Sequence, residues 1–370
     1  MSNLRLQPIQ ALPTSGARAA LPFVLEGRLC LALPQLAKDI PGRPADMNGG
    51  NSDIAMPILR WEAGRFAPWR TLSVPGGEDA EHFEIGGRAF LATASIRTGQ
   101  GPYEYNARST LWAWRDGDFA VHQEFDTFAA KQWRHFAIGG RHFLALAQGV
   151  VMPGLQARHD GRSTIFEWDG ERFVPFQAIA SSWGYNWHAF RHADVDYLAY
   201  ADHHSPSVLL RWTGSAFEPA QTFDGTSGRA FATFEAGGEH YLVFARLTDD
   251  SLLYRWQGGR LVVAQTLPGA GARELASVDW GGERLLVVVR FITGTRQAPK
   301  AQLDSVVWRL RDGALHAVAT VPTSGATDAA IFVEGGETFL VVSESLAPDV
   351  RFRTDSHVYR LGNARREEQP

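Results

Sequence analysis

Phe83-Glu-Ile-Gly-Gly-Arg-Ala-Phe-Leu-Ala92 returns as Phe136-Ala-Ile-Gly-Gly-Arg-His-Phe-Leu-Ala145 and again as Phe332-Val-Glu-Gly-Gly-Glu-Thr-Phe-Leu-Val341. Each copy puts β-favouring residues on both sides of a Gly-Gly pair, the signature of two strands joined by a two-residue turn whose centre needs positive φ. A second motif follows: Ser109-Thr-Leu-Trp-Ala-Trp114, Ser163-Thr-Ile-Phe-Glu-Trp168, Ser207-Val-Leu-Leu-Arg-Trp212 and Ser251-Leu-Leu-Tyr-Arg-Trp256. It runs into Asp116-Gly117 or a similar turn, then Phe or Leu, then often Gln-x-aliphatic or aromatic, as at Gln177-Ala-Ile179, Gln221-Thr-Phe223 and Gln265-Thr-Leu267. Two hairpins per unit make four strands.

The anchor residues Phe23, Phe83, Phe136, Phe190, Phe234, Val278 and Phe332 are spaced by 60, 53, 54, 44, 44 and 54 residues. A four-strand unit of about 40–50 residues is a propeller blade, because one small sheet cannot bury both faces until neighbours stack on it. The expectation is an all-β, seven-bladed propeller of antiparallel blades over residues 1–362, with 363–370 a flexible tail. The seventh unit stops after three strands at Ser356-His-Val-Tyr-Arg-Leu361. Pro8-Ile-Gln-Ala-Leu12 matches the fourth-strand motif Pro175-Phe-Gln-Ala-Ile179, so residues 4–12 should close the last blade and remove the open edge.

These units resemble the epitempin repeats, also called EAR or EPTP repeats, of the leucine-rich glioma-inactivated proteins. The resemblance covers nearly the whole chain and departs at Ala193-Asp194 and Glu26-Gly27, which replace Gly-Gly. It implies a propeller. The best-known members are secreted and bind proteins, which makes a protein partner one expectation. It also permits a calcium at Asp79, Glu274 and Asp328, which are scattered around the ring.

Composition narrows the function. With 36 Lys+Arg against 40 Asp+Glu and no basic cluster, the chain lacks a phosphate-backbone footprint, so nucleic acid is not expected as a partner. No apolar run approaches the roughly 20 residues of a membrane helix, and the first residues carry no signal-peptide core. With the single cysteine, Cys30, this points to a cytoplasmic protein that needs no disulfide and can act as a monomer. Gly-x-Ser-x-Gly, Walker and dinucleotide motifs are absent, so no cofactor is expected.

The length excess of the longer units falls between second and third strands, at Pro34–Asp53, Ile96–Arg108, Gly149–Arg162, Phe291–Asp304 and Ser345–Asp355. All of these open on one rim, so that rim is the candidate site. Counting back from the anchors places polar and aromatic residues at the channel mouth there, Arg18, Glu81, Arg229 and Arg273 among them; Trp133, Trp183 and Trp187 beside Tyr185 suggest an aromatic wall for a flat or cationic ligand, and His203 belongs to the same rim. Trp61, Trp114, Trp168, Trp212 and Trp256 occupy the consensus position and pack blades together. His135 and His188, supported by His82 and Lys131, are the proton-transfer candidates. A metal set of His135, His188 and Asp202 or His203 would be dispersed, and no metal is expected. Two readings stand: a small-molecule site, with cofactor-independent acid–base chemistry of the cyclase, isomerase or lyase kind if it is catalytic, and a non-catalytic protein-interaction propeller.

Overall fold

The glycine pairs turn as their sequence requires. Gly86-Gly87, Gly139-Gly140, Gly237-Gly238, Gly281-Gly282 and Gly335-Gly336 all have φ between +56° and +80° at both positions. Ala193-Asp194 makes the same turn at φ +46° and +61°, holding two side-chain-bearing residues in a region that costs them about 1 kcal/mol or more each. The computed structural model describes residues 4–295 and 297–363. Among these residues there are strands and turns and no helix.

Seven four-stranded antiparallel sheets follow in chain order. Blade 1 holds Leu21–Leu25, Arg28–Ala32, Ala55–Glu62 and Arg65–Ser73; blade 2 runs from Gly77 to Asp126, blade 3 from Gln132 to Ile179, blade 4 from Gly184 to Thr222. Blade 5 runs from Gly228 to Leu267 and blade 6 from Ala272 to Ser324, and blade 6 carries an extra small hairpin, Thr293–Gly294 with Pro299–Lys300. Blade 7 takes Ala326–Glu334, Glu337–Glu344 and Ser356–Asn363, and its outer strand is Leu4–Leu12, paired from Leu4↔Asn363 to Leu12↔Ser356. The first strand of every blade touches those of its two neighbours, blade 7 against blade 1 included, so the ring is closed. Asn363 ends the last strand, and the tail expected beyond it lies outside the described residues.

Each repeated residue has a mechanical task. The Trp packs on the preceding blade: Trp61 on Phe332 and Phe339, Trp168 on Phe90, Trp212 on Phe143, Trp256 on Tyr197. The buried Ser hydroxyl accepts the N–H at the end of the second strand, as Ser109 does from Ser95, Ser163 from Gln148 and Ser305 from Arg290. The Gln reads the backbone of the next blade with both ends of its amide. Gln177 donates to Phe217 O at 2.8 Å and accepts from Phe217 N–H at 2.9 Å; Gln10, Gln123, Gln221 and Gln265 do the same with Phe66, Phe173, Leu261 and Leu315.

Two stability tests follow. Deleting residues 1–12 should uncover the edge of Ser356–Asn363, lower the melting midpoint strongly and promote aggregation, read by calorimetry and light scattering. Gln177→Ala leaves two part-buried backbone groups of Phe217 without a protein partner and should cost about 1–3 kcal/mol in denaturant unfolding.

Candidate functional site

Five residues before each anchor the chain breaks its alternation. In blades 2, 4, 5, 6 and 7 the first two strands slip register there, and in blade 3 Lys131 N–H and Gln132 both face Ala147. In blade 1, Arg18 N–H reaches Pro34 O. Such bulges re-aim one side chain. The seven residues re-aimed are Arg18, Glu78, Lys131, Tyr185, Arg229, Arg273 and Thr327, and all seven line one axial cavity of about 310 Å³.

Below this ring, alternation resumes and side chains that border the axial cavity also engage neighbouring blades. The residue four before the anchor accepts a backbone N–H from the next blade: Asp79 from Trp133 at 2.8 Å, Gln132 from Trp187 at 2.6 Å, Asn186 from Phe231 at 3.2 Å and Asp328 from Ala20 at 2.8 Å. The residues three and one before the anchor turn to the preceding blade. There His82 stacks on Phe23 at 4.7 Å and His135 on Phe83 at 4.1 Å.

This alternation corrects the expected aromatic wall. Trp133 and Trp187 are 0% exposed and sit between blades, Trp133 donating from Nε1 to Thr93 O and Trp187 lying on Tyr200. Trp183 and His203 pack on each other within the rim, outside the cavity lining, and Tyr185 is the aromatic that reaches the cavity. His135 and His188 do share a second cavity, about 410 Å³, lined by blades 3, 4, 5 and 6, with Thr233 hydroxyl 2.8 Å from His188 Nε2 and His142 Nδ1 3.1 Å from His135 Nε2. Burial, helped by neighbouring cations and imidazoles, lowers both imidazoles to about 3, so both are neutral at physiological pH. His82, also lowered by burial, stays in its stack. Of the expected residues, Arg18, Glu81, Lys131, Tyr185, Arg229 and Arg273 line the axial cavity. Glu78 and Thr327 join them without having been singled out. Counting five residues back from every anchor, with no regard to residue type, would have found both.

The long loops do not frame an open mouth. Leu36, Ala37, Phe291, Ala301, Leu346 and Phe352 form a buried cluster with Met47, Ile96, Leu247, Ile292 and Val350, drawn from blades 1, 2, 5, 6 and 7. Residues from both sides of the ring meet there, so the cluster lies across the axis. Phe291 rests 5.6 Å from the Arg18 guanidinium and 5.1 Å from that of Arg273. Arg97 fastens the first loop beneath, donating to Asn48 O, Gly49 O and the Ser52 hydroxyl.

Charge in the axial cavity is layered. In the upper ring, Glu78 pairs with Arg18 at 3.4 Å and Arg273 at 3.1 Å. Burial would raise its carboxyl, but Arg18, Lys131 and Arg273 together hold it below the usual range. Burial, opposed by Glu78 and reinforced by Arg18, Arg273 and Arg229, pulls Lys131 down to about 7. Burial brings Arg18 and Arg229 to about 10, still cationic at neutral pH. One step deeper the sign reverses. Burial and Asp328 push Glu274 up to about 8, burial pushes Asp328 to about 6, and burial with Glu81 raises Asp79. Arg134 bridges to Glu81 at 3.2 Å. Asp79, Glu274 and Asp328 do not converge as a metal set. Among the described residues, the three potential ligands that approach within 4.8 Å are His192, Glu235 and His240, on the tight-turn rim.

Bladed architecture and repeat chemistry together define a repeat propeller, and comparison with known proteins says which kind. The EPTP domain matches residues 118–169, 172–213 and 216–257, each stretch opening on the outer strand of one blade and ending on the third strand of the next. The chain is 30% identical over 167 residues to the mouse thrombospondin-type laminin G domain and EAR repeat-containing protein, and 29% identical over 154 residues to the human one. These matches cover 44% and 41% of this chain but 24% and 22% of the relatives, so the chain corresponds to about a quarter of their length. The chain carries EPTP repeats homologous to the EAR repeats of those proteins.

Lys131 provides a pH test of this charge layering. Its folded-state value, about 7, lies below the ordinary lysine value of 10.5, so folding disfavours its proton. The penalty is fully present below pH 7 and disappears as pH rises towards 10.5. Lys131→Met should therefore stabilise the protein at pH 6, with the gain shrinking through pH 8 and 9, as read by denaturant unfolding at each pH. Arg18 and Arg273 remain to partner Glu78.

Proposed function

We propose that this propeller is a protein-interaction scaffold whose partner docks on the long-loop rim. The observation that carries the reading is the division of labour between the two rims: the tight-turn rim is nearly invariant from blade to blade, while the other collects loops of unequal length and sequence. Those loops pack on an apolar cluster of their own and are held by a backbone hydrogen-bond belt, for example Ser227 N–H to His203 O, Leu247 N–H to Ser227 O and Gly271 N–H to Leu247 O. A pre-formed rim of this kind loses little conformational freedom on binding. Val151 and Met152 stand out from it, 59% and 36% exposed, on the loop that blade 3 contributes. Homology to the EAR repeats supports the same reading, as does the condition of the histidines, neutral and stacked between blades. A second reading, a small molecule held in the axial cavity, has support of its own in the buried cations of the upper ring.

The test pairs the two rims. Val151→Asp with Met152→Asp should abolish retention of a partner by the immobilised protein while leaving its melting midpoint within about 1–2 °C, since exposed positions contribute little to stability. Val24→Asp and Val333→Asp, exposed near the tight turns, should retain it. Loss of the partner only with the tight-turn variants would move the interface to the other face.

A further inference from the structure

The upper ring brings Arg18, Lys131, Arg229 and Arg273 to one level of the axial cavity, and Glu78 is the one carboxylate among the seven residues of that ring. Glu78 is taken by Arg18 and Arg273. Lys131 and Arg229 form no close ion pair with it. Lys131, 6% exposed, makes no side-chain hydrogen bond or close ion pair among the described residues; its ammonium feels the charge of Glu78 without pairing with it and lies 5.8 Å from the Tyr185 ring. Arg229, 5% exposed, lies 3.7 Å over the face of the same ring; its Nε has no partner, and its Nη1 reaches Gly228 O only at 3.5 Å. Burying cations without counter-charge is costly, and such groups are normally paired.

We propose that the axial cavity binds a small, multiply charged oxyanion, a dicarboxylate or a phosphate, between Lys131 and Arg229. The proposal rests on the reading of that cavity as a small-molecule site and gives the site its ligand class. Arg229 offers the planar fork that matches two oxygens of a carboxylate or phosphate, and Lys131 adds a point charge from the neighbouring side of the ring. Tyr185, held between the two cations, gives the ligand an apolar edge and fixes the orientation of the stacked guanidinium. A volume of about 310 Å³ holds an ion of a few heavy atoms with room for accompanying water. At the lower level Arg134 is already bridged to Glu81 at 3.2 Å, so binding is confined to the upper level. Four bulges place the four cations, and no repeat residue with a mechanical task is involved.

Calorimetric titration and thermal shift with inorganic phosphate, malonate and glucose, at constant ionic strength, test this. The expected result is saturable binding of phosphate or malonate with a rising melting midpoint, no effect of glucose, and affinity lowered about tenfold or more in Lys131→Met and in Arg229→Gln. The anion that binds more tightly identifies the class. Glucose binding without either anion would keep the small-molecule site and overturn its ligand class. No binding by any probe would overturn both. Undiminished anion binding in the folded Lys131→Met, Arg229→Gln double variant would place the anion elsewhere and overturn the proposal.

Discussion

A four-stranded blade has two apolar faces and can cover neither of them alone. Each face must be buried by another blade, and a row of blades is stable only when its ends meet. The pairing of Leu4–Leu12 with Ser356–Asn363 makes them meet, and every other contact in the molecule presupposes it. The Trp that packs backwards, the Gln that clasps forwards and the carboxylates that accept an N–H from the next blade all act across a blade interface. Trp61, Trp168 and Trp212 also touch a Phe of their own blade, but it is the contact across the interface that joins one blade to the next.

The same constraint governs which residues are available for function. Because neighbouring blades use both faces of each inner strand, most residues that follow the strand's alternation are engaged by a neighbouring blade, even where they also border the axial cavity as Asp79, Gln132 and Asp328 do. Trp133, Trp187, His82 and His135 obey the alternation and are spent on packing. A bulge is the device that frees a residue from it, and its recurrence at one register in every blade builds a ring of free side chains. The charge of this ring is a local matter. Its arginines and its lysine are crowded around one carboxylate, while the carboxylates a step deeper, crowded in turn, hold their protons more tightly. The layering of sign along the axis comes from two adjacent registers of the repeat, not from any net charge of the chain.

The loops take no part in closing the ring, so they vary. Their length comes without cost to the blade cores, and their apolar residues find one another across the axis as Phe291, Phe352 and Leu346 do. The consequence is a roofed channel and a structured outer surface on the same rim. A partner docking on the loops and an ion held in the channel would occupy separate levels of that rim, separated by the apolar cluster.

Architecture was legible in the sequence because it is written in local chemistry repeated seven times: turns that need positive φ, strands of period two, a fourth-strand motif at the wrong end of the chain. Even Ala193-Asp194, which break the Gly-Gly rule, adopt the same turn because the strands on both sides dictate it. Half of the candidate site was legible as well. Arg18, Glu81, Lys131, Tyr185, Arg229 and Arg273 were named from their distance to an anchor, and they line the cavity. What residue order could not convey was side-chain direction. Whether Trp133 faces the axis or a neighbouring blade depends on where the register slips, and the slip is a property of two paired strands, not of one segment. The roof over the channel lay further still from the sequence. Its members come from the loops of five blades and share no motif; only the closed ring brings them within contact of one another.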